Sequence, residues 1–171
     1  MRTPIFPTSN GGKLEIGHSA LFAMLRFRQD NPWKREAGGV LMGRYIREST
    51  DVVIDSVTVP MRGDRRGRLN FFRDRDRHQQ AIDRAWQESE GTTHYLGEWH
   101  THPEKIPTPS QTDKADWNRH LRQNILIGDI LFFLIVGTEF MRVWEGHRQS
   151  QEYILIGEHN SATCISRKVS H

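Results

Sequence analysis

The stretch Gly97-Glu98-Trp99-His100-Thr101-His102-Pro103, running on through Glu104-Lys105-Ile106-Pro107-Thr108-Pro109 into Ser110-Gln111-Thr112-Asp113, decides how this chain is read. Residues Thr93 to Thr101 have strand character, and side chains two apart on a strand project from the same face. His100 and His102 therefore present two imidazoles to one point. Pro103 has no backbone N–H to give a sheet ladder, so it ends the pairing. The Pro-bearing loop of residues 103–109 then reverses the chain. Ser110-x-x-Asp113 is the signature of a helix amino-terminus, with Ser110 as cap and Asp113 in the first turn. A capped first turn holds the Asp113 carboxylate where it can return to the imidazoles. Two neutral imidazoles and one carboxylate have the composition of a catalytic zinc site with three protein ligands and a fourth position open for water. At the composition of this chain, such a string arises by chance on the order of once in ten thousand chains.

Outward from that stretch, Ser110 opens a helix ending near Gln123, and Ile130 to Gly137, Phe140 to Trp144 and Glu152 to Ile156 read as late strands. Upstream, Glu36 to Ile46 and Asp51 to Pro60 read as two strands, joined by a polar turn at Arg47 to Thr50. Ile16 to Gln29 places Ile16, Leu21, Phe22 and Leu25 near helical spacing and stops at Asp30-Asn31-Pro32. An arginine-rich loop, residues 61–68, precedes a short strand-like Leu69 to Phe72. Asp74 or Asp76 caps a further helix to about Glu90, with Ala81, Ile82, Ala85 and Trp86 as its buried stripe. The mixed order of helices and strands predicts an α/β or α+β fold with a mixed central sheet flanked by helices, not a bundle or an all-β barrel. At 171 residues the chain is expected to form one domain, residues 1–160, followed by a polar tail, residues 161–171.

Composition limits the function further. The longest apolar run, Ile130 to Val136, has seven residues, against roughly 20 for a spanning helix, so no membrane segment is expected. The opening MRTPIFPTSN lacks the pattern of a secretory signal, which makes a cytoplasmic location the expectation. The single cysteine, Cys164, excludes an intrachain disulfide and any zinc site built on several thiolates. It lies in a polar tail with no histidine motif and is not read as a nucleophile. Metal ligands must therefore come from the nine histidines and the carboxylates. The net charge of +3 is concentrated: residues 62–77 hold seven Arg against three Asp. Such a patch serves an acidic protein partner as well as a phosphate backbone.

The string His100-x-His102-Pro103-x6-Ser110-x-x-Asp113, preceded by Glu36 before Gly38-Gly39-Val40-Leu41-Met42-Gly43, resembles the JAMM motif of the JAB/MPN metalloproteases, and every defining position is filled. The resemblance implies a cytidine-deaminase-like mixed sheet and one zinc ion per chain held by His100, His102 and Asp113. By the same likeness Glu36 is the general acid/base and Ser110 helps stabilise the oxyanion. Zinc activates water and polarises the scissile carbonyl, while a carboxylate within reach moves the proton to the leaving amine. A hydroxyl donor beside the metal is worth a few kcal/mol in such a reaction.

Within the family, the single-domain build and the Gly-Glu-Trp-His-Thr-His-Pro string are most similar to the bacterial JAB peptidases of CBASS antiphage operons. Those act beside a fused activating and conjugating enzyme that ligates a cGAS-like nucleotidyltransferase, or CD-NTase, to targets. The likeness implies an isopeptidase that removes the CD-NTase tail from its conjugates. The arginine-rich loop falls where the family carries an insert that contacts substrate, which makes Arg65, Arg66 and Arg68 candidates for gripping an acidic face of the modifier. A solvated loop is the plain alternative.

Other readings stand beside these. Glu98, two residues before His100 on the same strand face, is a rival base or a group that orients a ligand histidine. His120 is expected to form a surface pair with Asp116, and Trp99 and Trp117 to serve packing. A processing peptidase for a sulfur-carrier or other ubiquitin-like protein is the alternative within enzymes. An MPN scaffold that binds nucleic acid through the 62–77 patch is the alternative outside them, disfavoured because no ligand is missing.

Overall fold

Val40, Leu41 and Met42, and the run Leu131 to Val136, are buried continuously and not alternately, as strands are when both faces of their sheet are covered. The computed structural model describes residues 3–123 and 128–161 and places both runs in the middle of one sheet. In chain order the elements are β1 (Ile5–Pro7), β2 (Lys13–Ile16), α1 (His18–Leu25), β3 (Gly38–Tyr45), β4 (Val52–Val57), β5 (Arg65–Arg66), β6 (Phe71–Phe72), α2 (Arg75–Glu88), β7 (His94–Thr101), α3 (Gln111–Gln123), β8 (Ile130–Val136), β9 (Phe140–His147) and β10 (Tyr153–Asn160).

The eight-stranded sheet has the order β1-β2-β4-β3-β7-β8-β9-β10. β2 and β4 run parallel, as do β7 and β8, and the remaining neighbours are antiparallel. The sheet is therefore mixed, as the element order predicts. β8 shows how its two faces are filled. Phe132, Leu134 and Val136 join the cluster that buries α1, while Leu131, Phe133 and Ile135 join the cluster under α3 around Trp117, Leu121 and Trp144. Each such fully buried side chain contributes about 1.5–3 kcal/mol of transfer free energy. Trp99 and Trp117 are buried packing residues.

Several boundaries depart from the sequence expectation. The first helix covers only His18–Leu25, because Ile16 is captured by β2 and pairs with Ile54. Phe22 of the expected stripe points outward. The turn-rich amino-terminal segment is flanked by two paired strands, too short to announce themselves by periodicity. Asp74, not Asp76, caps α2, accepting a hydrogen bond from the Arg77 N–H at 3.2 Å. The buried residue of that helix is His78, while Ala81, Ile82 and Ala85 are half-buried and Trp86 is exposed. A groove opens along the apolar stripe of α2. The arginine-rich segment contains β5, paired with β6 as a separate two-stranded hairpin.

Ser161 is buried and donates its hydroxyl to the Glu139 carbonyl at 3.0 Å. The rest of the expected polar tail, with Cys164, lies outside the described residues. Among the described residues, no helix is long and apolar enough to cross a membrane.

Candidate metal centre

β7 lies between β3 and β8, and both ladders extend to its carboxyl end: His100 is opposite Gly38 on one side and Ile135 on the other. The strand is therefore fixed on both sides at His100, and His102, one residue past its end, donates its N–H to the Val136 carbonyl at 3.0 Å. Trp99 and Thr101 face the core, and Glu98 and His100 face the α2–α3 side. This alternation is set by a bulge at Leu96, where Leu41 opposes Gly97 and Met42 opposes Tyr95. Gly97 adopts φ +143°, and a Cβ there would lie 1.8 Å from the Phe132 carbonyl oxygen, so the strands approach only because the residue is glycine.

The predicted capping of α3 is present in reciprocal form. The Asp113 N–H donates to Ser110 Oγ at 3.1 Å, and the Ser110 N–H donates to Asp113 Oδ2 at 2.6 Å. The fixed carboxylate reaches both imidazoles: Asp113 Oδ1 is 3.2 Å from His100 Nε2, and Asp113 Oδ2 is 3.3 Å from His102 Nε2. The two Nε2 atoms are 3.1 Å apart. Ligands at the vertices of a tetrahedron around zinc, with bonds of about 2.0–2.1 Å, lie roughly 3.3–3.4 Å from one another. The two imidazole nitrogens and the two Asp113 oxygens thus have the spacing and the chemistry of a divalent-ion site. Glu104 Oε2, 3.4 Å from His102 Nδ1, is placed to accept a hydrogen bond from an Nδ1–H, the tautomer that leaves the Nε2 lone pair to the site.

Glu36, at the loop just before β3, completes the cluster. Its carboxylate and the two histidines offer atoms within 4.8 Å of one another. The side chain is buried, and burial pushes its carboxyl above the ordinary 4.5, against the opposing pull of His100 and His102 and with a further push from Asp113. Burial acts the same way on Asp113, but hydrogen bonds from His100 and His102 outweigh it and hold that carboxyl well below the usual range. Burial alone would lower His102; its bond to Asp113 reverses the sign and raises it. One carboxylate is thereby kept anionic among the donors, and the other is held as a more basic group beside them.

The arginines are placed unequally. The Arg66 Nε–H donates to the carbonyl oxygen of Glu36 at 2.8 Å, and the Glu36 N–H donates to the Gly67 carbonyl at 2.7 Å. Arg68 Nη1 donates to the Pro32 carbonyl at 2.7 Å. Arg65 lies over the Phe72 ring, 5.2 Å from its centroid, and lines the groove. Among the described residues, Glu98 bonds neither His100 nor His102. It accepts hydrogen bonds from Arg73 and from the Tyr95 hydroxyl at 2.7 Å, so it is neither a free base nor an orienter of His100. His120 departs from its expected pairing as well. Its Nδ1 is 3.6 Å from Glu98 Oε1, while Asp116 pairs with Arg119. Sequence spacing could not reveal this inner cluster, because Arg73 lies 25 residues from Glu98.

The α2–α3 groove has a volume of about 1140 Å³ and ends on Glu36, His100 and Asp113. Ile82 and Trp86 of α2 form one wall, Trp117 and Arg119 of α3 another, and Tyr95 and Glu98 line it from β7.

A mixed sheet carrying two histidines at a strand end, with a returning helix-capping aspartate and a buried glutamate, defines a metal-dependent hydrolase of the metalloprotease class. The chain belongs to the JAB family: the family described as prokaryotic homologs of the JAB domain matches residues 18–152. It is 36% identical over 136 residues to a CD-NTase/cGAS isopeptidase of Vibrio cholerae, covering 80% of this chain and 81% of that protein. It is 35% identical over 122 residues to one of Escherichia coli, covering 71% and 73%. A solution structure of a Desulfitobacterium hafniense protein has the same fold, with a TM-score of 0.56 at 21% identity over 82% of this chain and 87% of that one.

Proposed function

We propose that this protein is a zinc-dependent isopeptidase that hydrolyses the bond after the carboxy-terminal tail of a cGAS-like nucleotidyltransferase, releasing it from its conjugates in the bacterial cytoplasm. What carries the reading is the convergence of two imidazole nitrogens and the Asp113 carboxylate, at separations of 3.1–3.3 Å, beside a buried glutamate, in a chain more than one-third identical to a relative bearing that name. His100, His102 and Asp113 hold the ion, one per chain. When bound, zinc supplies Lewis acidity and an activated water. Glu36 takes a proton at its carboxylate and returns it to the leaving amine nitrogen, a task suited to a carboxyl raised by burial. Ser110 uses its oxygen as acceptor in the helix cap, which leaves its O–H to donate to the developing oxyanion.

The groove volume exceeds the roughly 300–1,000 Å³ typical of small-molecule sites, which favours a polypeptide substrate. Arg65 is the arginine of the original three best placed to meet it. Arg66, Arg68 and Arg73 each already donate to a carbonyl or carboxylate of this chain, which weighs against a nucleic-acid surface. The conjugates are the product of a fused activating and conjugating enzyme, the functional partner this reading requires.

Purified protein is tested for metal and for cleavage of a CD-NTase–target conjugate. Glu36→Ala is expected to keep stoichiometric zinc and lose cleavage, whereas His100→Ala, His102→Ala and Asp113→Ala lose both. A zinc-loaded wild-type protein that leaves the conjugate intact while cleaving a sulfur-carrier precursor sinks the substrate assignment. Substoichiometric zinc after chelator-free purification sinks the metal assignment.

A further inference from the structure

Glu36 lies outside the β3–β7 ladder, which begins at Gly38 opposite His100. The strand carrying His100 is paired in ladders on both sides, whereas Glu36 is outside the ladder and its backbone bond runs from its N–H to the Gly67 carbonyl at 2.7 Å. Behind the site, Gln29 and Thr101 are both buried, 2% and 0% exposed. The Ala37 N–H donates to Thr101 Oγ1 at 3.0 Å, and the Thr101 hydroxyl donates to Gln29 Oε1 at 2.9 Å. The Gln29 amide donates in turn to the carbonyls of Arg68 at 2.8 Å and Lys34 at 3.3 Å. The Thr101 N–H closes the circuit on the Ala37 carbonyl at 2.8 Å. Both hydrogens of the amide, its oxygen, and the acceptor and donor of the hydroxyl are used, so the network is complete and carries no charge.

We infer that Gln29 and Thr101 are positioning residues: they fix the Glu36 carboxylate against the two imidazoles by tying residues 34–37, the His-x-His strand and the arginine-rich hairpin into one buried hydrogen-bond network. The inference takes from the proposed function only the role of Glu36. The alternation of β7 gives it its geometry: His100 and His102 point into the site, and Thr101 between them points away, toward the segment that carries the base. The strand that presents the ligands thus also sets the height of the residue that works beside them. A neutral amide and hydroxyl do this without adding a charge that would alter the basicity of Glu36. The Arg66 bond to the Glu36 carbonyl works from the other side of the same segment.

The test uses the zinc-loaded full chain and the shape-conserving variants Thr101→Val, Thr101→Ser and Gln29→Met. Thr101→Val is expected to keep wild-type zinc content and KM, because the ligands and groove are untouched, while kcat falls about 10²-fold, the effect of a base displaced by about an ångström. Hydrogen exchange at the Ala37 amide accelerates in the same variant, since its acceptor is gone. Thr101→Ser restores both. Gln29→Met keeps the Ala37–Thr101 bond and lowers kcat less, by about tenfold, with faster exchange over residues 34–37. A Thr101→Val protein with wild-type kcat and Ala37 protection overturns the inference, as does a loss of kcat that only follows a loss of zinc, or a Thr101→Ser protein as impaired as Thr101→Val. If Thr101→Val does not fold, Gln29→Met with unchanged kcat and exchange overturns it. A wild-type protein that cleaves no conjugate defeats the proposed function, and the exchange measurements then decide the positioning network alone.

Discussion

Asp113 is asked to do two things: close the helix cap with Ser110 and offer oxygens to two imidazoles. The first enables the second, because a carboxylate already oriented by a backbone N–H loses little freedom on meeting a metal. Ser110→Ala separates the roles of the cap. Its loss is expected to cost about 0.5–2 kcal/mol of stability, read as a modest fall in the urea midpoint, while cleavage falls about 10²–10³-fold, the scale of a lost oxyanion donor. A loss of cleavage no larger than the change in folded fraction would assign Ser110 to the cap alone. These residues were legible because their spacing is local: a strand period of two, then a capping box three apart. Arg66 was legible only as a charge. That its guanidinium bonds the Glu36 carbonyl follows from the hairpin fold-back, which no spacing encodes.

At the scale of the element, β7 determines the site. Its bulge at Leu96 shifts the alternation so that His100 falls on the groove side, and Gly97 allows the approach to β8. Gly97→Ala forces a Cβ onto a backbone oxygen at a φ that L residues avoid, and is expected to cost more than about 3 kcal/mol. Urea denaturation checks this, and a wild-type midpoint would show that the strands can part without penalty. The strand and α3 were both predicted close to their observed limits, since β-branched, aromatic and capping signals mark their ends. α1 was overextended and the β1–β2 pair missed, because Ile16 satisfies a helical spacing as well as a strand position and only pairing with β4 decides between them. The stripe of α2 was identified correctly as apolar but assigned to the core, whereas Ile82 and Trp86 line a groove.

Across the whole molecule, the arginine-rich segment is held by a buried chain of Thr58, His78 and Asp64. His78 Nδ1 lies 2.6 Å from Thr58 Oγ1, and its Nε2 lies 3.1 Å from Asp64 Oδ2, while Asp64 also accepts from the Met61 and Asp74 N–H groups at 2.7 Å. Burial raises the Asp64 carboxyl, but those hydrogen bonds outweigh it and bring it below the ordinary 3.8. A carboxyl lowered on folding stabilises the native state above its unfolded value and loses that contribution as the pH falls through its folded one. The stability gap between wild type and Asp64→Asn is therefore expected to be wide at neutral pH and to narrow below about pH 4, as urea midpoints at stepped pH would show. A gap that stays constant would mean that the carboxylate charge contributes nothing. Taken by itself, the sequence determined the mixed sheet, the two imidazoles, the capped aspartate and the family they resemble, because each rests on residues close in the chain and obeys a short geometric period. Only the tertiary structure decided where Glu36 stands, which arginines are already engaged, that Glu98 belongs to an inner ion pair, and that Gln29 meets Thr101. Those contacts join segments tens of residues apart, and their geometry is set by how the sheet packs, not by any local pattern.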